Sequence, residues 1–102
     1  MVVSMEIRPG DYLPTHRDSN EELLVVTAGT VEASVGDETV ELAAGYAAVV
    51  PEMVPHGLRN AGGETARVIG FFPNDELTAT FEKPLQPFGS NVVTIGGDAE
   101  EV

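Results

Sequence analysis

Gly10-Asp11-Tyr12-Leu13-Pro14-Thr15-His16-Arg17-Asp18-Ser19-Asn20-Glu21-Glu22 runs straight into Leu23-Leu24-Val25-Val26-Thr27-Ala28-Gly29. The first part holds an imidazole and several carboxylates; the second is an apolar, β-branched run of the kind that forms buried strands. His16, Asp18 and Glu22 are separated by two and four positions, so they have equal parity. Residues of equal parity share one face of an extended strand. One inward face is therefore expected to carry three candidate ligands. A kink near Ser19-Asn20 alters the detail, but parity selects Glu22 over Glu21. An imidazole and two carboxylates turned into an apolar interior are costly unless paired or bound to a metal.

Outward from this stretch the chain is a series of short β-like runs divided by Gly, Pro and acidic turns. Val2–Arg8, Glu21–Thr27, Thr30–Val35, Thr39–Leu42, Tyr46–Val50, His56–Arg59 and Ala66–Phe72 are the expected strands. Gly36-Asp37 is a hairpin turn signal. Asn60–Glu64 is a second turn. Runs at this spacing predict an all-β, antiparallel double-sheet sandwich or barrel. Asp75–Phe81 fits either one helical turn or a short edge strand. Pro84 and Pro87 predict an extended connector, Asn91–Ile95 a last strand, and the glycine-rich, acidic end a frayed tail. The expected organisation is one domain over residues 1–95 and a tail over 96–102.

The other histidine, His56, lies between Pro55 and Gly57. Two spacings now stand out. Gly10 is followed after five residues by His16, then Asp18, then after three residues Glu22, then after six Gly29. Gly45 is followed after five residues by Pro51, then Met53, then after two residues His56, then after three Asn60. The chain resembles the cupin superfamily, whose first motif is G-x5-H-x-H-x3,4-E-x6-G and whose second is G-x5-P-x-G-x2-H-x3-N. The fifteen residues between Gly29 and Gly45 match the short separation of small single-domain microbial cupins. Two positions depart from the pattern: Asp18 stands at the second histidine, and Met53 at a glycine, where the turn must avoid positive φ or bear strain.

The resemblance implies a jelly-roll cupin barrel and one divalent metal held by His16, Glu22 and His56, with Asp18 as a fourth or outer ligand. The chain has no cysteine, so any metal is bound through nitrogen and oxygen. Such donors suit Fe, Mn, Zn, Ni or Cu. Dioxygenase or isomerase chemistry on a small organic molecule is what the resemblance implies, with Glu22 as the catalytic base. The alternative is a non-catalytic module that captures a small ligand and uses the metal for structure or recognition. Tyr12 and Tyr46 are expected to pack in the core, as are Phe71, Phe72 and Phe81, there or at an interface. Arg59 is expected to pair with a surface acid.

The formal net charge is −12, from 17 acids against five bases. Such a surface repels phosphate backbones and anionic lipids, which argues against nucleic-acid and membrane partners. It also suits a high-salt cytoplasm. The start Met1-Val-Val-Ser-Met-Glu-Ile-Arg8 lacks the pattern of a signal peptide, and a cytoplasmic protein is expected. No serine has a local histidine partner, and Gly62-Gly63 lacks the Lys-Ser/Thr of a phosphate loop. Val2–Arg8, an apolar strand with no turn partner, and the proline-stiffened arm Phe81–Phe88 predict a homodimer, since open sheet edges are liabilities unless covered.

Overall fold

The computed structural model describes residues 1–85 and 90–96, which form ten β-strands and no helix. In chain order they are β1 (Val2–Ile7), β2 (Tyr12–Asp18), β3 (Glu22–Ala28), β4 (Thr30–Val35), β5 (Glu38–Ala43), β6 (Ala47–Val50), β7 (His56–Arg59), β8 (Ala66–Phe71), β9 (Glu76–Leu85) and β10 (Ser90–Gly96). They build a four-stranded sheet, β1-β8-β3-β6, and a six-stranded sheet, β10-β9-β2-β7-β4-β5. Every pairing is antiparallel. This is the double-sheet jelly-roll architecture expected from the sequence.

Period-two alternation fills the space between the sheets. Leu24, Val26, Val31, Ala33, Val50, Leu58, Ala66 and Val68 are buried and form one apolar cluster. Their neighbours in sequence point outward, as in Arg67 and Thr27 beside Val68 and Val26. The Gly36-Asp37 turn closes the β4–β5 hairpin with Val35 opposite Glu38. Gly36 adopts φ 58°, which a two-residue hairpin turn requires at its first position.

Several expectations are revised. Tyr12–Asp18 is a strand in its own right, and the chain turns at Ser19-Asn20 before β3 enters the other sheet. Of the two readings of the segment from Asp75, the strand holds and the helical turn does not. β9 runs Glu76–Leu85 and pairs with β2, placing Phe81 opposite His16, and Pro84 falls inside it. Tyr12 and Tyr46 are exposed, not core residues. Phe72 and Phe81 are buried, whereas Phe71 is partly exposed at 41%. Arg59 makes no ion pair among the described residues. The connector at Pro87 and the expected tail beyond Gly96 lie outside the described residues.

Candidate metal centre

β2 and β7 lie side by side, with His16 opposite His56. Their rings approach to 4.2 Å between centroids. Two residues along β2, Asp18 faces the same interior. Glu22 enters from β3 in the other sheet, so the four side chains converge from both layers rather than from one strand. All four are buried.

Each imidazole is oriented by its own backbone. His16 Nδ1 lies 2.8 Å from the carbonyl oxygen of Pro14, and His56 Nδ1 lies 2.9 Å from that of Val54. A carbonyl can only accept, so Nδ1 carries the hydrogen in both rings and Nε2 is left as a lone pair in the neutral form. Both Nε2 atoms point at the carboxylates. Asp18 Oδ2 is 2.9 Å from His56 Nε2, and Asp18 Oδ1 is 3.5 Å from His16 Nε2. Glu22 Oε1 is 3.2 Å from His56 Nε2.

Neither Asp18 oxygen has a hydrogen-bond partner, although both are fully buried. The 2.9 and 3.5 Å approaches to the two imidazoles stabilise the carboxylate once an imidazole carries the extra proton. Buried orphan polar atoms are rare and call for a cause. Lone pairs facing lone pairs are tolerable in two ways: an extra proton on an imidazole, or a cation between the groups. The first is visible in the acid–base balance. Burial alone would raise the Asp18 carboxyl, but the adjacent His16 and His56 override it and hold it at about 2. Burial alone would lower His56, but Asp18 and Glu22 override it and lift the imidazole to about 10.

The second way fits the donor set. One ligand atom each from His16, Asp18 and His56 lies within 4.8 Å of the others, a spread that a divalent ion can draw together. Glu22 stands to one side of this trio. The carboxylate of Glu22 is given room by Gly70 on β8: a Cβ there would overlap Glu22 Oε2. Gly70 is not visible as a site residue in the sequence, because it belongs to neither motif and its demand is spatial.

Two motif positions serve the frame rather than the chemistry. Asn60, fully buried, donates to the carbonyls of Ile7 and Glu64 and accepts from the Gly62 N–H, tying β1 to the β7–β8 turn. Met53 takes φ 61°, a left-handed conformation disfavoured for a side chain. Its N–H donates to the Asp18 carbonyl at 2.9 Å, so the strained turn anchors the end of β2 that carries Asp18.

Space near the trio is scarce. Phe81 stacks on His16 at 4.7 Å and 27°, beside a recess of about 40 Å³ lined by His16, Arg17, Pro55 and Thr80. A cleft of about 590 Å³ lies elsewhere, on the outer face of the six-stranded sheet around Tyr12, Glu32 and Arg59.

Two packed antiparallel sheets enclosing a histidine–carboxylate cluster define a double-sheet β-barrel with a candidate metal centre. The chain belongs to the cupin family: the family described as Cupin domain matches residues 3–72. Protein SchB of Streptomyces halstedii is 34% identical over 64 residues, which are 62% of this chain but only 46% of that protein. The crystal structure of TT1209 from Thermus thermophilus is similar with a TM-score of 0.61 and 30% identity, over 66% of this chain and 67% of that one. The salicylate 1,2-dioxygenase of Pseudoaminobacter salicylatoxidans, a G106A mutant in complex with gentisate, is similar in fold. Its TM-score is 0.64 at 22% identity, over 70% of this chain and 19% of that one.

Proposed function

We propose that this cupin holds one divalent metal ion with His16, Asp18 and His56, with Glu22 beside it, and acts on a small organic molecule there. The observation that carries this reading is the buried Asp18 carboxylate, unpartnered and facing two Nε2 atoms. Bound at this site, the metal supplies Lewis acidity, or redox chemistry with oxygen if it is Fe, Mn or Cu. The chain supplies the rest. The Pro14 and Val54 carbonyls fix both rings, and Asp18 adds a negative charge that favours a cation. Glu22, one oxygen of which reaches only His56, is the group free to take a proton from a bound substrate. Phe81 excludes water from the His16 side. Dioxygenase-like or isomerase-like turnover is the finer form of the reading; the similar salicylate 1,2-dioxygenase supports it only at the level of fold.

A second reading is a non-catalytic module with a structural or recognition metal, and the smallness of the recess beside His16, about 40 Å³, favours it. Metal-loaded protein given a small diol or diketone separates the two. Product formation or oxygen uptake supports the enzyme. Saturable capture without turnover supports the module. The reading extends to a cytoplasmic homodimer, argued from the open sheet edge at β1, and the −12 charge supports the absence of nucleic-acid and membrane partners.

A further inference from the structure

Leu13 and His16 are an odd number of positions apart on β2, yet both turn inward. Leu13 packs against the apolar cluster and His16 is buried. On a regular strand an odd separation puts two side chains on opposite faces. Their partners on β7, Leu58 and His56, have equal parity and are both buried. Pro14 and Thr15 together therefore stand where β7 has Gly57 alone. This is a β-bulge, a device that re-aims a side chain beside a site. Without the extra residue, Leu13 and His16 could not share one interior.

Two observations tie the bulge to the His16 ring. The carbonyl that accepts from His16 Nδ1, at 2.8 Å, belongs to Pro14, so the bulge itself orients the imidazole. Proline fits there because a bulge breaks the ladder of backbone hydrogen bonds. The bulge also rests on Gly57 more closely than a side chain allows. A Cβ on Gly57 would lie 3.0 Å from the Leu13 carbonyl oxygen and 3.4 Å from the Thr15 nitrogen, both backbone atoms. Gly57 does not have a positive φ. What demands glycine here is the neighbouring strand, not backbone conformation.

We propose that Gly57 is a positioning residue for His16, acting through the Pro14-Thr15 bulge. The inference rests on the metal site proposed above and adds to it a residue that falls at an unspecified position of the second motif. A Cβ at position 57 lifts the bulge off β7. The Pro14 carbonyl moves with it and loosens its hold on Nδ1. The competing form of the ring carries its hydrogen on Nε2, toward Asp18 Oδ1 at 3.5 Å. An Nε2 that carries hydrogen has no lone pair for a metal. His56 is spared, because its Nδ1 is held by the carbonyl of Val54, outside the bulge. The shift is released outward: Pro14, Thr15 and Gly57 line the cleft of about 590 Å³ on the outer face of the sheet, not the core.

The test is Gly57→Ala in the full chain, read by NMR of the imidazole nitrogens. The chain has two histidines, so His56 serves as internal control. In metal-free wild type both Nδ1 atoms should carry hydrogen. In Gly57→Ala the His16 ring should move toward the Nε2–H form while His56 keeps its wild-type signals. Zinc affinity, measured by competition with a chromophoric chelator, should fall about ten-fold or more, the loss usual when the outer partner of a metal-bound histidine is disturbed. In a His16→Ala background the alanine at position 57 should cost no further affinity. Pro14→Gly frees the bulge from the other strand and adds no atom, so it should reproduce the His16 change and replaces Gly57→Ala if that variant does not fold. Unchanged His16 signals overturn the proposal, as does equal disturbance of both rings, which is what a general loss of structure produces. A wild type that binds no zinc counts against the metal site, and the ring signals of the metal-free protein still decide the role of Gly57.

Discussion

Asp18 Oδ2 lies 2.9 Å from His56 Nε2, and Glu22 Oε1 lies 3.2 Å from the same nitrogen. The Asp18 contact joins β2 to β7 at the point where both motifs meet. It holds either a proton or a metal, and the competition between them yields the first prediction.

In the metal-free protein, Asp18 is held at about 2 against an ordinary 3.8, and His56 at about 10 against 6.5. A lowered carboxyl stabilises the fold above its unfolded value, and that contribution is lost as pH falls through about 2. A raised imidazole stabilises it below its unfolded value, and that contribution is lost as pH rises through about 10. Both are fully present only between about 4 and 6.5, so metal-free stability should plateau there and decline on either side. Metal must displace the His56 proton. Calorimetry in buffers of different ionisation enthalpy should detect about one proton released per metal at pH 7. No release would mean that His56 is not protonated without metal.

Asp18→His supplies the more usual second histidine of the first motif. Metal preference should move toward Ni(II) and Cu(II), which favour nitrogen donors. Competition across a panel of divalent ions measures this. Unchanged selectivity would place Asp18 outside the coordination sphere.

The β2–β9 pairing that sets Phe81 over His16 is also where the sequence is least legible. The candidate site positions are readable because motif spacing is local: His16, Asp18, Glu22 and His56 all reach one interior. Two features resist. Tyr12-Leu-Pro-Thr-His lacks a β-branched run, and its pairing with β7 slips between Leu13 and His16, so β2 leaves little pattern. Asp75–Phe81 fits one helical turn or an edge strand on local pattern, and the long-range pairing with β2 selects the strand. The motif sets Asp18 at the margin of the site and Glu22 at its centre. The turn at Ser19-Asn20 sends Glu22 to the opposite sheet, so it approaches His56 from across the barrel.

Phe81 controls access on the His16 side. Truncation to Ala would cost roughly 3–5 kcal/mol, a large share of a small domain's stability. Phe81→Leu is the milder probe and should keep the metal. Stopped-flow binding of catechol, a bidentate oxygen ligand, should be faster than in wild type. An unchanged on-rate would mean that ligands enter elsewhere.

Gly70 should matter through Glu22. Gly70→Ala places a methyl where the Glu22 carboxylate sits and should cost about 1–3 kcal/mol by overpacking. Metal should stay bound by His16, Asp18 and His56. Any turnover should fall to the level of Glu22→Gln, and the alanine should add no further loss in the double variant. Full turnover in Gly70→Ala would remove Glu22 from the proton-transfer role.

The most direct test of the metal centre is elemental analysis of untagged protein, wild type beside His56→Ala and Asp18→Ala. One divalent ion per wild-type chain is expected, with near-complete loss in both variants and a lower melting temperature in His56→Ala than in metal-free wild type. Full stoichiometry in His56→Ala, or no ion retained by wild type after loading with each of Fe, Mn, Zn, Ni and Cu, would contradict the assignment.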